Sequence, residues 1–186
     1  MTERIDDFIK DLALEAKGAQ ATFGSLSTAQ LNWKPAAKSW SVAQCFDHLI
    51  TTHSLYFPEF ERLAKGDVKM SFWEKASPFS GCFGRFLIKG LDPKNLKPMK
   101  TTAKAFPSES EIGGDIIERF SEHQQQMIDA INKLPTNIDP AKTIITSPLL
   151  GIVTYSLDDC FTVLVVHCQR HFNQAKRVTE SEGFPK

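Results

Sequence analysis

The chain has 186 residues, of which 41% are hydrophobic and 24% charged, a composition typical of a globular domain and not of a disordered segment. Its 22 Lys and Arg residues equal its 22 Asp and Glu residues, so the overall charge predicts no attraction to nucleic acid or to an anionic membrane. We therefore expect residues 1–186 to form one domain without a nucleic-acid or membrane partner.

The sequence gives no sign of export or of membrane insertion. The first ten residues, MTERIDDFIK, are charged throughout and lack the apolar core of a secretory signal. No later segment reaches the roughly 18 uninterrupted apolar residues that a membrane span requires. The four cysteines are widely spaced and form no CxxC pair. We expect a cytoplasmic protein with reduced thiols.

Four long segments carry apolar residues at three- and four-residue spacing, which predicts an all-α helical bundle. We expect the first helix over about residues 2–25 and the second over about residues 41–65. Ser41, followed three residues later by Gln44, predicts a capping box at the start of the second helix. Pro58 falls inside the second helix and predicts a bend there.

Residues 67–109 form a long connection between the second and third helices. Within it, the segment FSGCFGRFLIKGL is apolar enough to predict a short helix packed on the bundle. A connection of this length can carry the chain from one end of a bundle to the other, so its two flanking helices can run parallel. The third helix is expected over about residues 108–134, with Ser108 and Glu111 as a second capping box.

The fourth helix, expected over about residues 156–181, carries His167 and His171 on its apolar stripe. Residues four apart lie on one face of a helix, so both rings should face the interior and could reach one metal ion. The same pattern fits two neutral core histidines, each hydrogen-bonded to a buried acceptor. This helix alone leaves both interpretations open.

A metal site needs a third ligand, and three other histidines are available. On a helical wheel of the second helix, His53 lies near the centre of the apolar stripe and His48 at its margin. His123 lies at the centre of the third helix's stripe. Periodicity therefore favours His53, with His123 as a competitor, and does not decide among the three.

Two motifs far apart in the chain narrow the interpretation. The first, KSWSVAQCFDHL, contains Trp40, Ser41 and His48, and the second, HCQRHFNQAKRV, contains His167 and His171. Their order and separation resemble the DinB-like superfamily of four-helix-bundle proteins, which is related to bacillithiol and mycothiol S-transferases. The resemblance covers nearly the whole chain.

The resemblance implies a divalent metal ion bound by His48, His167 and His171, so that His48 replaces His53 as the third ligand. Zinc or nickel is the implied ion, and iron or manganese also suits imidazole ligands. A low-molecular-weight thiol is the implied cosubstrate. The resemblance further implies an up-down-down-up bundle, with the long crossover between helices 2 and 3, and a homodimer.

Three neutral imidazoles leave a coordination position for water or substrate, as in catalytic zinc sites. The leading hypothesis is therefore a metal-dependent transferase or hydrolase that directs a thiol or water at a small electrophilic substrate. The alternative is a non-catalytic, dimeric metal-binding or stress-response bundle. We expect Trp40 to pack at the corner before the second helix and Arg170 to lie on the exterior or at a dimer interface.

Overall fold

The computed structural model describes residues 3–66, 69–77, 80–95, 102–108 and 111–186. Its long helices are α1 (Glu3–Phe23), α3 (Val42–Ser54) continued by α4 (Phe57–Ala64), α7 (Ile116–Ile131) and α8 (Leu157–Thr179). The shorter elements are α2 (Thr28–Asn32), α5 (Phe72–Ala76), α6 (Ser80–Leu91), a 3₁₀ turn (Ala103–Ala105) and strands β1 (Ile144–Thr146) and β2 (Thr154–Ser156). Among the described residues, no helix combines the length and apolarity that crossing a membrane demands.

Two apolar clusters fill the bundle and establish the helix directions. The first joins the beginnings of α1 and α8 to the end of α7, through Phe8, Leu157 and Ile131. The second joins the ends of α1 and α8 to the beginning of α7, through Phe23, Val178 and Ile116. Since α3 begins in the second cluster and α4 lies in the first, α1 and α8 run one way and α3 and α7 the other. This confirms the up-down-down-up bundle.

The second long helix begins where the sequence predicts. The backbone N–H of Gln44 donates to Ser41 Oγ (3.1 Å), and the N–H of Ser41 donates to Gln44 Oε1 (3.3 Å), which completes the capping box. Such a cap contributes about 1 kcal/mol. The helix is interrupted between α3 and α4, where Pro58 lies in the first turn of α4. The expected bend is thus a break in the helix.

The third long helix begins later than predicted. It starts at Ile116, so the capping box expected from Ser108 and Glu111 is wrong; residues 109–110 lie outside the described residues, as does Thr2. The backbone N–H of Ile112 donates instead to Asn32 Oδ1 (2.9 Å), in the segment that leads to the helix. A long-range contact therefore replaces the first helical turns.

Two consecutive glycines explain the late start of α7. Gly113 and Gly114 precede it, and glycine costs about 1 kcal/mol in a helix relative to alanine. A Cβ at Gly114 would lie 2.5 Å from Thr28 Oγ1, so glycine permits a close approach between this segment and α2. Hydrophobic periodicity does not register such an approach.

The connection between α4 and α7 contains the predicted apolar helix, α6, which packs against α8 and β2. A Cβ at Gly84 would lie 2.3 Å from Asp159 Oδ2, so this glycine permits α6 and α8 to pack closely. The antiparallel pair β1–β2, with Ile145 opposite Tyr155, was not predicted. Its Tyr155 hydroxyl lies 2.8 Å from the Tyr56 hydroxyl at the break between α3 and α4.

Candidate metal centre

Three histidines from two helices meet inside the bundle. His48 projects from α3, and His167 and His171 project from α8 one turn apart. One ring nitrogen of each lies within 4.8 Å of the others, an arrangement that could hold a metal ion. The three residues are only 4%, 8% and 8% exposed. Both histidines of the α8 motif therefore face the interior, as predicted.

Each of these rings has a hydrogen-bond partner at Nδ1. His48 Nδ1 meets the carbonyl oxygen of Ala105, and His171 Nδ1 meets Gln174 Oε1 at 3.0 Å. Because carbonyl oxygens only accept, both rings carry their proton on Nδ1. Each then presents an unprotonated Nε2, the form in which imidazole binds metals.

His167 Nδ1 contacts a fourth imidazole, at 3.1 Å from Nε2 of His53. On its other side, His167 Nε2 lies 3.0 Å from His48 Nε2. If His167 donates from Nδ1 to His53, two nitrogen lone pairs face each other at His48 and His167, and a cation relieves their repulsion. If the proton is on Nε2, His167 donates to His48 instead. The donor set therefore fits a divalent ion bound by the Nε2 atoms.

Burial keeps all of these imidazoles neutral. Desolvation, aided by the neighbouring His48 and opposed by the bond to Gln174, lowers the pKa of His171 to about 3. Desolvation also lowers the pKa of His167 and His53 well below the ordinary value. The pKa of His48 is lowered for the same reason, with the Ala105 carbonyl opposing. Neutral rings bind a metal without first losing a proton.

His53 and His123, the two other candidates, lie outside the three-histidine cluster. His53 is fully buried behind His167, and His123 Nε2 contacts Ser54 Oγ at 3.2 Å. In the described part of the chain, Nδ1 of each has no hydrogen-bond partner. His53 instead contacts Nδ1 of His167, a position from which it can orient that ring.

The helical wheel favoured His53, which is buried but outside the cluster, over His48, because it assumed a single buried stripe. Helix α3 packs against both α7 and α8, and nine of its thirteen residues are buried. His48 consequently faces α8 while His53, also buried, lies behind His167. A helix covered on two sides offers two interior faces, and the wheel centres on only one of them.

The three histidines line a pocket of about 760 Å³. Trp40 stacks on His171, with ring centroids 5.5 Å apart and planes inclined by 22°, and lies 4.9 Å from His48. Trp40 also packs against the second apolar cluster, as expected, and in addition contacts two rings of the histidine cluster. The sequence signal for the placement of Trp40 beside the histidines was its position directly before Ser41, the N-cap of α3, in the first motif.

Arg170 also lines the pocket, which corrects its expected exterior position. It is half-buried, and its Nη1 donates to the carbonyl of Asn95 in the crossover. Its spacing of three residues from His167 places it on the same helix face, a signal present in the sequence.

A second buried polar cluster lies beside α8 and comprises Glu15, Gln124 and Cys168. Gln124 Nε2 donates to Glu15 Oε2 at 2.8 Å and lies 3.7 Å from Cys168 Sγ. Among the described residues, Glu15 Oε1 and Gln124 Oε1 are buried without a partner. Burial raises the pKa of Glu15 to about 8, and Asp11 adds to this while Cys168 and Gln124 oppose it.

This second cluster borders a separate cleft of about 750 Å³ that no histidine lines. At neutral pH its carboxyl is protonated, so it offers no negative charge to a metal. Sequence reasoning missed Glu15, although it lies midway between the buried Leu12 and Ala19 on the α1 stripe. A charged residue at a core position was the available signal.

Comparisons with known proteins agree with this architecture. The family model of the DinB superfamily matches residues 12–175. A solved structure titled "YfiT from Bacillus subtilis is a probable metal-dependent hydrolase with an unusual four-helix bundle topology" matches with a TM-score of 0.59 and 11% identity. The match covers 100% of this chain and 91% of that one, and at this identity it shows a shared fold. A search of curated proteins finds no significant match. Because the family model spans most of its length, the chain belongs to the DinB superfamily.

Proposed function

We propose that this protein is a metal-dependent enzyme in which His48, His167 and His171 bind a divalent ion and a thiol or water attacks a small electrophilic substrate. The observation that carries the proposal is the convergence of three neutral imidazoles on the wall of an open pocket. When bound, such an ion supplies Lewis acidity that lowers the pKa of a thiol or a water.

The surrounding residues support the site in two ways. Gln174 and the Ala105 carbonyl accept from Nδ1 of His171 and His48, and His53 would accept from Nδ1 of His167 when that ring presents Nε2 to a bound ion. Trp40 covers His171 and limits the access of water to it. Among the described residues no carboxylate belongs to the cluster, so a bound ion would keep its full charge and be strongly electrophilic.

The identity of the ion and nucleophile rests on chemistry and on family likeness. Imidazole ligands suit zinc and nickel first, then iron and manganese. The fold neighbour is described as a probable metal-dependent hydrolase, which supports water as the nucleophile, and the resemblance to thiol S-transferases supports a low-molecular-weight thiol. We propose that residues 1–186 act as one domain, as a cytoplasmic homodimer.

The non-catalytic alternative makes a different demand on the same site. A metal that only stabilises the bundle needs no access from solvent, whereas an enzyme needs room for a substrate beside the ion. The three histidines line a pocket large enough for a small molecule, which favours the enzyme.

The experiment is to purify the protein, quantify its bound metals, remove them with a chelator and reload single ions. Each form is assayed for thiol conjugation to electrophiles such as 1-chloro-2,4-dinitrobenzene and for hydrolysis of p-nitrophenyl esters. We expect turnover that requires metal and disappears in His48→Ala. A metal-loaded protein inactive in both assays would instead favour the non-catalytic bundle.

A further inference from the structure

The pocket beside the three histidines has an unbalanced charge. Its lining includes three cationic side chains, Lys38, Arg170 and Arg177, and among the described residues no Asp or Glu lines it. The whole chain carries equal numbers of acidic and basic residues, so the imbalance is local.

The sequence of α8 places two of these cations on the metal-facing side. His167, Arg170, His171, Gln174 and Arg177 all line the pocket. Arg170 and His171 lie three and four residues after His167, Gln174 lies three after His171, and Arg177 three after Gln174, and residues three or four apart are neighbours on the surface of a helix. Guanidinium groups therefore accompany the imidazoles along the wall of the pocket.

The cations differ in how they are held. Arg170 is half-buried and bonded to the Asn95 carbonyl, so its position is defined by the crossover. Arg177 and Lys38 are exposed, and in the described part of the chain neither forms a salt bridge with a carboxylate. These two have donors available to a ligand.

Several cations elsewhere in the described chain stand beside acids. The pairs are Arg4–Asp158, Lys10–Asp7, Arg62–Glu59, Lys65–Glu61, Lys142–Asp139 and Lys176–Glu180. Lys38 and Arg177 of the pocket lining belong to none of these pairs.

A divalent ion on three neutral imidazoles would increase the imbalance. Like charges in a cavity partly shielded from water repel more strongly than on an open surface. The protein offers no acid among the described lining residues to offset this repulsion. An anionic ligand would offset it.

We propose that the substrate of this site carries an anionic oxygen group, a carboxylate or a phosphate, which Arg177 and Lys38 bind at the mouth while its reacting group faces the histidines. The guanidinium fork of Arg177 suits both groups, because it can donate two parallel hydrogen bonds to either. The proposal rests on the metal-dependent function above and adds its substrate class.

The test uses the cobalt-loaded protein and three thiols as probes. Mercaptosuccinate carries carboxylates, 2-mercaptoethyl phosphate carries a phosphate, and 1-thioglycerol is neutral. Binding is followed by the sulfur-to-cobalt charge-transfer absorption, without turnover. We expect at least one anionic thiol to bind about tenfold more tightly than 1-thioglycerol, since a hydrogen bond to a charged group contributes about 1.5–3 kcal/mol. The anionic thiol that binds more tightly shows whether the site prefers a carboxylate or a phosphate.

Paired variants test the assigned residues. The double variant Lys38→Gln, Arg177→Gln should bind the preferred anionic thiol no more tightly than 1-thioglycerol. The control, Lys34→Gln, Lys176→Gln, removes the same charge from exposed neighbours that do not line the pocket, and should keep the preference. The preference in the unaltered protein should also fall as salt is added.

Equal affinities for all three thiols would overturn the proposal that the substrate is anionic. An equal loss of the anionic preference in the control variant would overturn it as well. The metal site and its thiol chemistry would survive that result, because 1-thioglycerol still binds. If no thiol changes the cobalt spectrum, the thiol version of the proposed function fails and the anionic-substrate inference fails with it.

Discussion

The two buried polar clusters beside α8 show that burial has opposite consequences for bases and acids. His167 belongs to the three-histidine cluster and the next residue, Cys168, to the Glu15 cluster, because consecutive helical residues point about 100° apart. Desolvation keeps the imidazoles neutral, which prepares them to bind a metal. The same desolvation keeps Glu15 protonated, which removes a carboxylate ligand. One helix thus separates a cluster of neutral imidazoles, ready to bind a metal, from a carboxyl that must first lose a proton to do so.

The largest effect is expected when two adjacent residues of α8, one from each polar cluster, are substituted separately. His167→Ala should lose stoichiometric metal, since it removes one of the three proposed ligands, whereas Cys168→Ala should retain it. Metal content is measured after gel filtration, and circular dichroism verifies that both variants are folded. Equal metal loss in both would mean that the two clusters are not functionally separate.

The second prediction concerns stability at alkaline pH. The folded pKa of Glu15, about 8, lies above its ordinary value of 4.5, so the folded state retains a proton that the unfolded state releases. The contribution of this proton to the free energy of unfolding is complete below pH 4.5. It is lost as the pH rises to about 8, at about 1.4 kcal/mol per pH unit. Glu15→Gln should remove this dependence of the free energy of unfolding on pH.

The measurement is urea unfolding of the chelator-treated protein from pH 5 to 9, for the unaltered chain and for Glu15→Gln. Asp11→Asn provides the control, because Asp11 makes only a secondary contribution to the raised pKa of Glu15. An unchanged pH slope in Glu15→Gln would show that this carboxyl ionises normally in the folded protein.

The third prediction concerns acid pH and has the opposite sign. Desolvation lowers the pKa of His123 to about 4. Between pH 6.5 and about 4 the unfolded state therefore binds a proton at this ring and the folded state does not. The free energy of unfolding should therefore fall between pH 6.5 and about 4, at about 1.4 kcal/mol per pH unit for this residue. His123→Gln should reduce the acid slope by that amount, measured by the same urea titrations. If His123→Gln kept the acid slope of the unaltered chain, His123 would not have a lowered pKa in the folded protein.

The smallest effect is expected from the residue that supports His171. Gln174→Leu removes the acceptor of the His171 Nδ1 proton and should weaken metal binding by about tenfold, as measured by competition with a chelator of known affinity. Gln169→Leu, an exposed change on the same helix outside the histidine pocket, should leave the affinity unchanged. Similar losses in both variants would indicate a general effect on α8.

Local patterns in the sequence predicted the helices and the inward orientation of His167 and His171. They also predicted the capping box at Ser41, because its two partners lie within one helical turn. The start of the third helix was predicted wrongly, since it depends on a contact between Ile112 and the distant Asn32. Periodicity measures neighbours along one helix and not contacts across the chain.

The third member of the histidine cluster shows the same limit. Periodicity favoured His53, and only a family resemblance indicated His48, because the two interior faces of α3 cannot be ranked without knowing what covers each. The partners of the rings, Gln174, His53 and the Ala105 carbonyl, come from three separate parts of the chain. The tautomers of the cluster therefore emerge only from the fold.

The stack of Trp40 on His171 makes the centre its own optical reporter. An open-shell ion such as copper or nickel quenches the emission of an indole that stands next to one of its ligands. The chain has three tryptophans, and Trp33 packs on Phe184 while Trp73 donates to the Ile152 carbonyl. With these two changed to phenylalanine, Trp40 is the sole tryptophan, and excitation that avoids the tyrosines reports on it alone. Stopped-flow fluorescence can then follow in real time how fast ions reach the buried histidines.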